Sequence, residues 1–141
     1  MILPEAKIVH CRRDALDTCF SIYKTRFVRG SIEYGYDMSD LGHYYRQYKD
    51  LMRFWDDILP KKPIDLGYED LVADMRSESE RLLGELGIGW SDSCLRFYET
   101  ARSVQTASVT QVRRPIYTSS IGKAEKFGAA LDPLRCALAG E

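Results

Sequence analysis

Between Lys7 and Cys11 the chain reads Lys-Ile-Val-His-Cys, a short strand-forming run with Pro4 on its N-terminal side, and this predicts a β-strand. From Asp14 the period changes. Leu16, Phe20, Tyr23 and Phe27 recur at helical spacing, predicting an amphipathic helix that Asp14 opens and that reaches about Phe27. Asp14, Asp17, Thr18 and Ser21 fall on its other, polar side. After a Gly-containing loop, Ser39 is read as the cap of the longest helix, about Asp40 to Leu59, which Pro60 ends. Its stripe of Leu41, Tyr44, Tyr45, Tyr48, Leu51, Met52, Trp55 and Ile58 is broad and apolar, and is expected to be core.

Ile64 to Tyr68 is a second strand candidate, with Tyr68-Glu69-Asp70 at its exit. Helices are expected over about Ser77 to Leu86, punctuated by Gly87, and about Ser91 to Tyr98. Residues 101–120 are rich in Ser and Thr and lack helical periodicity. Ser119 or Ser120 is then expected to cap a closing helix through about Leu131, and Asp132-Pro133 to open a last short one. Two strands joined by a long helical crossover pair in parallel. Parallel sheets are covered on both faces and rarely consist of two strands alone. The pattern therefore predicts part of an α/β domain, with further strands supplied by sequence outside these residues. An unpaired edge and apolar face of that kind predict self-association or binding of a partner chain through the incomplete sheet.

Composition narrows the function classes. Twenty basic and 21 acidic residues give a net charge of −1, so no global positive field points to nucleic acid, and any anion site is local. No run of residues has the length and apolarity of a membrane span, and the N-terminus lacks the form of a secretory signal. The expected setting is cytoplasmic. Cys11, Cys19, Cys94 and Cys136 form no CxxC pair, so reduced, structural thiols are expected and no metal site.

In open α/β sheets ligands gather where strands end and helices begin. Arg13 stands at such a place, and Ser21 lies two turns into the following helix on its polar side. A guanidinium holds a phosphate bidentately and a hydroxyl adds one hydrogen bond. Spacing alone leaves a second reading open, in which Arg13 pairs with Asp17 on the surface and Ser21 is merely exposed.

The stretch "CRRDALDTCFS" resembles the 3′-phosphate-binding segment of sulfotransferases that use 3′-phosphoadenosine 5′-phosphosulfate (PAPS). Arg13, Asp14, Asp17 and Ser21 match its spacing, with Ala15 in place of the usual proline. "DLGHYYRQY", "YEDLVADM", "LLGELGIGW", "CLRFYET" and "TASVTQVRRPIYTSSIGK" look like consecutive blocks of bacterial sulfotransferases linked to tetratricopeptide repeats. They are more distantly similar to tyrosylprotein sulfotransferases. The resemblance implies the helix-rich, C-terminal part of a P-loop-like three-layer α/β domain with a short parallel sheet, spanning residues 1–141. It implies that Arg13 and Ser21 hold the 3′-phosphate of PAPS or of the product adenosine 3′,5′-bisphosphate (PAP), and that Tyr68 contacts the nucleotide. It also makes Arg113, in "QVRRPIY", an additional phosphate contact, and Lys123 the basic residue of the closing segment, where Arg-Trp is common and this chain has Lys123-Ala124.

Each residue also has an ordinary structural reading: Tyr68 as a core-edge tyrosine, Arg113 and Arg114 as a solvated loop pair. Lys123 does not complete a Walker motif, because Tyr117 stands where the first Gly belongs and Ala124 where Ser or Thr is required. His43 is expected to be structural or surface. The family's Gly/Ser/Thr-rich 5′-phosphosulfate loop, of the kind "PRSGTT", has no counterpart in these residues, and the catalytic base is not identified among them. The expected activity is transfer of a sulfuryl group from PAPS to a hydroxyl or amine of a small-molecule or peptide acceptor, with no metal required. The alternatives are a non-catalytic nucleotide-binding remnant and a helical interaction module.

Overall fold

The computed structural model describes residues 5–27, 30, 32–100 and 112–140. The chain divides into two compact units, each drawn from two separate stretches of sequence.

One unit comprises Met1–Arg12 and Pro63–Thr118. Strand β1 (Val9–Arg12) pairs in parallel with β2 (Ile64–Gly67), Val9 opposite Ile64 and Arg12 opposite Gly67. His10 and Asp65 are cross-strand partners, and His10 Nδ1 lies 2.9 Å from Asp65 Oδ1. The second strand ends one residue earlier than the pattern implies, and Tyr68 is instead the first residue of helix α3 (Tyr68–Ala73). Helix α4 (Met75–Leu86) begins before the predicted Ser77 because the Asp74 carboxylate accepts the Ser77 N–H at 3.0 Å and so caps a helix starting at Met75. Gly87, at φ +72°, closes it in the left-handed conformation that favours glycine. Lys7 Nζ donates to the Glu85 carbonyl at 2.7 Å, placing a cation near the helix C-terminus where the dipole favours one. A 3-10 segment, Asp92–Glu99, stands where a short α-helix is predicted.

The other unit comprises Arg13–Lys62 and Ser119–Glu141. Helix α1 (Ala15–Tyr23) is capped by Asp14 as predicted, its carboxylate accepting the Asp17 N–H at 2.8 Å, but ends before Phe27. Helix α2 (Met38–Ile58) is capped by Asp37 rather than Ser39, the Asp37 carboxylate accepting the Ser39 and Asp40 amides. Ala124–Leu131 is 3-10, broken at Gly128 (φ +49°), and leads into helix α5 (Asp132–Ala139) with Pro133 in its first turn. The core is Leu16, Cys19 and Phe20 of α1, Leu41 of α2, and Ala124, Leu131 and Leu134. Gly42 lets α2 and α5 approach closely: a Cβ there would lie 2.5 Å from that of Ala137.

The apolar stripe of α2 is core only toward its N-terminal end, where Leu41 is buried and Tyr45 packs against the core. Only Leu41 and Gly42 are buried on this helix, while Tyr44 and Trp55 are exposed. Length supplies the reason. The 21 residues of α2 span about 31 Å, whereas α1 and α5, at nine and eight residues, each span about 12–14 Å. The short helices cover the N-terminal half and the rest runs past them. Among the described residues no helix is long and apolar enough to cross a membrane.

Burial, and secondarily the charge of Asp14, push the Cys19 thiol from 9.0 up to about 12. Its neutral form is thus favoured by folding. Stability from Cys19 is complete below about pH 9 and is lost as pH rises toward 12, because the unfolded thiol ionises first. A thiol-reactive disulfide reagent at mildly alkaline pH is expected to label the exposed Cys11 and Cys136 rapidly and Cys19 only on unfolding. Rapid labelling of Cys19 in the folded chain would contradict this packing.

Candidate functional site

The site begins at the turn from β1 into α1. Arg13 follows the last residue of β1, and Asp14 caps α1. Because a helix turns every 3.6 residues, Asp17, Ser21 and Lys24 succeed one another along a single face of α1. Asp17 does not point to solvent. Only 2% exposed, it accepts the Gly122 N–H at 2.7 Å on Oδ2 and the Ala124 N–H at 2.8 Å on Oδ1. Arg13 Nη2 lies 3.8 Å from the same carboxylate and donates to the Ser120 carbonyl at 2.6 Å.

Two residues at the head of α1 therefore hold the turn 120–124, whose sequence is about a hundred positions away. The buried Ala124 amide needs an acceptor; a single carboxylate serves it together with the Gly122 amide and is balanced by a guanidinium. Lys123 lies between the two held amides, so the clamp fixes the backbone on both sides of it. Its charge reaches Lys24 on α1: burial, then Lys123 and Arg13, lower the Lys24 pKa, with Asp17 opposing them. The Lys24 ammonium sits 5.2 Å from the Phe20 ring centroid, a cation–π distance.

Arg13 precedes the first residue of α1 and Lys24 is the C-cap at its other end; the charges of Lys123 and Arg13 both disfavour the Lys24 ammonium, a repulsion that an anion would relieve. The Thr18 hydroxyl is buried and has no hydrogen-bond partner among the described residues. Ser21, one turn further, is half-buried, and its carbonyl accepts the Thr25 hydroxyl at 2.6 Å.

Of the residues singled out from sequence, Arg13, Ser21 and Lys123 share this unit. Tyr68 and Arg113 belong to the other, Tyr68 half-buried at the start of α3 and Arg113 exposed in the turn 112–114. The surface pairing of Arg13 with Asp17 is present as an ion pair, but Asp17 is buried and the pair is part of the clamp. His43 is exposed, its Nδ1 2.7 Å from the Ser39 carbonyl. Two functional candidates escape the sequence reading. Lys24 was legible, since it stands three residues after Ser21 on the same face. The clamping role of Asp17 was not, because its partners are distant backbone amides of no distinctive residue type.

The family model "Sulfotransferase family" matches residues 1–92, a span that includes Arg13, Ser21 and Tyr68. The chain is also similar to an uncharacterized protein of Aquifex aeolicus (strain VF5), 31% identical over 136 residues. That alignment covers 95% of this chain and extends the likeness through Arg113 and Lys123, while the chain spans only 18% of the length of that relative. The α/β fold with its parallel strand pair agrees with the match. The chain belongs to the sulfotransferase family.

Proposed function

We propose that this chain holds the adenosine 3′,5′-bisphosphate end of PAPS, as part of a sulfotransferase of the bacterial tetratricopeptide-repeat-linked type, more distantly related to tyrosylprotein sulfotransferases. The observation that carries this reading is the clamp: Asp17 and Arg13 fix the 120–124 turn on the head of α1, and Lys123 lies between the two amides so held. The donor set suits a phosphate. Guanidinium and ammonium groups bind phosphate oxygens through charge-assisted hydrogen bonds, and the orphaned Thr18 hydroxyl is a further donor on this helix. Ser21 adds a hydroxyl one turn along. Tyr68 and Arg113 are proposed as nucleotide contacts on the family resemblance alone.

When bound, PAPS supplies the sulfuryl group for transfer to a hydroxyl or amine. The residues of this chain bind and orient the nucleotide, and their fixed positive charges favour negative charge on the bound phosphates. A second reading, binding without turnover by this chain alone, is favoured by one sequence fact: residues 1–141 contain no loop of the "PRSGTT" kind to cradle the 5′-phosphosulfate.

Calorimetric titration of the chain with PAP, against adenosine 5′-monophosphate, tests the proposal. PAP is expected to bind at least about tenfold more tightly, since one charge-assisted phosphate contact is worth about 1.5–3 kcal/mol. Equal affinity for the two nucleotides would refute recognition of the 3′-phosphate. Sulfuryl transfer from PAPS to a phenol by the chain alone would exclude the second reading.

A further inference from the structure

Helix α5 lies against α2 where Ala137 meets Gly42, and its last turn reaches Arg46: a Cβ on Gly140 would be 2.5 Å from the Arg46 guanidinium. There α5 ends, while α2 runs on to Ile58. At this step the two helices form a cleft of about 490 Å³, lined by His43, Arg46, Lys49 and Arg53 of α2 and by Leu138 and Ala139 of α5. That volume suits a small molecule. All of these residues belong to one compact unit.

The charges in the cleft are not balanced as they are on the other helices. On α4 and α5 the arginines are answered by acids one turn away: Arg76 by Glu80, Arg81 by Glu78 and Glu85, Arg135 by Asp132. In the cleft Arg46, Lys49 and Arg53 follow one another at i, i+3 and i+7, a row of neighbouring cations. Like charges one turn apart destabilise a helix. Asp50 is the one acid lining the cleft, and it pairs with Arg53. Arg46 and Lys49 have no ion-pair partner among the described residues. Arg46 is half-buried against the last turn of α5, where the helix dipole favours a cation and holds it in place. His43 Nδ1 lies 2.7 Å from the Ser39 carbonyl, so Nε2 is the ring nitrogen left for a ligand.

We propose that this cleft is an anion site for a small molecule bearing two adjacent phosphate groups, one held by the Arg46 guanidinium and the next by the Lys49 ammonium. A guanidinium grips a phosphate bidentately and an ammonium holds it as a point charge. Phosphate carries more charge per group than a carboxylate, which is what a row of cations with one acid among them calls for. The site shares no residue with the clamp and stands or falls independently of nucleotide binding at Arg13.

Inorganic pyrophosphate is the probe, and amide chemical-shift mapping of the isotope-labelled full chain at low salt is the test. Saturable shifts are expected at Arg46, Lys49, Leu138 and Ala139, with pyrophosphate binding at least about threefold more tightly than orthophosphate, the scale of one added solvated charge contact. Lys49→Gln and Arg46→Gln should each weaken pyrophosphate at this site by about three- to tenfold, and Lys123→Ala should leave it unchanged. Urea midpoints check that each variant folds, the exposed Lys49 being the decisive position. Shifts confined to α1 and the 120–124 turn, or the absence of saturable shifts, would overturn the proposal. So would wild-type affinity in folded Lys49→Gln. Orthophosphate binding as tightly as pyrophosphate would overturn the two-group ligand, and succinate binding as tightly would overturn the assignment to phosphate.

Discussion

Asp17→Ala lowers the stability of the chain by about 3 kcal/mol, the low end of the range for breaking a buried ion pair. The substitution removes the acceptor for two backbone amides. Ala124 is 1% exposed, so its N–H cannot recover a partner from water without local opening, at a cost of about 1–3 kcal/mol. Gly122 is exposed and recovers most of its loss. Arg13, with its side chain a quarter exposed, keeps part of its hydration, which holds the total at the low end. Asp17→Asn is expected to cost about half as much, keeping one carbonyl acceptor while turning a donor toward the other amide. Urea denaturation reads the effect as a midpoint shift of about 1–2 M. Asp57→Ala, on the exposed end of α2, serves as control and should stay within about 0.5 kcal/mol of wild type. A shift for Asp17→Ala no larger than the control's would mean that the clamp does not hold the turn.

Removal of the Arg13 guanidinium weakens PAP binding by roughly 10²–10³-fold, as expected when one partner of a desolvated charge pair is lost. Arg13→Lys should not rescue it, because a point ammonium cannot both reach the Ser120 carbonyl and grip a phosphate bidentately. Arg13 also braces the clamp, so part of its effect passes through the turn. The exposed Lys24 and Lys123 separate the two contributions. Lys24→Ala and Lys123→Ala should each weaken PAP by about three- to tenfold, the scale of one solvated charge contact, while leaving the urea midpoint unchanged. Binding to both variants should also depend less steeply on salt than binding to wild type. If neither lysine matters and Arg13→Ala loses binding only as it loses stability, the cations gather for structural reasons alone.

How much of this was legible in the sequence depends on the range over which each signal acts. The Asp14 cap and the parallel strand pair rest on local residue types and on the length of the crossover, and both are present. For α2 the cap lies two residues upstream because Asp37 and Ser39 are both cap formers, and the Asp37 carboxylate accepts two amides. Periodicity located the apolar face of α2 correctly but carries no information on whether the chain has an element long enough to cover it. The expected helix up to Leu131 is 3-10 because Gly128 takes a positive φ, a conformation that glycine permits but does not announce. At the site, Arg13 was marked by its place between strand and helix. The Asp17 contacts join residues 105 and 107 positions apart, beyond the reach of any pattern in one sequence.

The unit that carries the clamp is assembled from two stretches with the whole of Pro63–Thr118 between them. On a ribosome, α1 and α2 emerge first and then wait. At roughly 5–20 residues per second the intervening stretch takes several seconds to make, during which Phe20 and Leu41 lack Leu131 and Leu134 to pack against. Asp17 meanwhile has neither of its amide donors. Nascent chains therefore pass through an interval in which the apolar face of α1 is uncovered. A message cut short before residue 119 yields a product with an open core and without Lys123, one that quality control can tell from the finished protein by its exposed apolar surface.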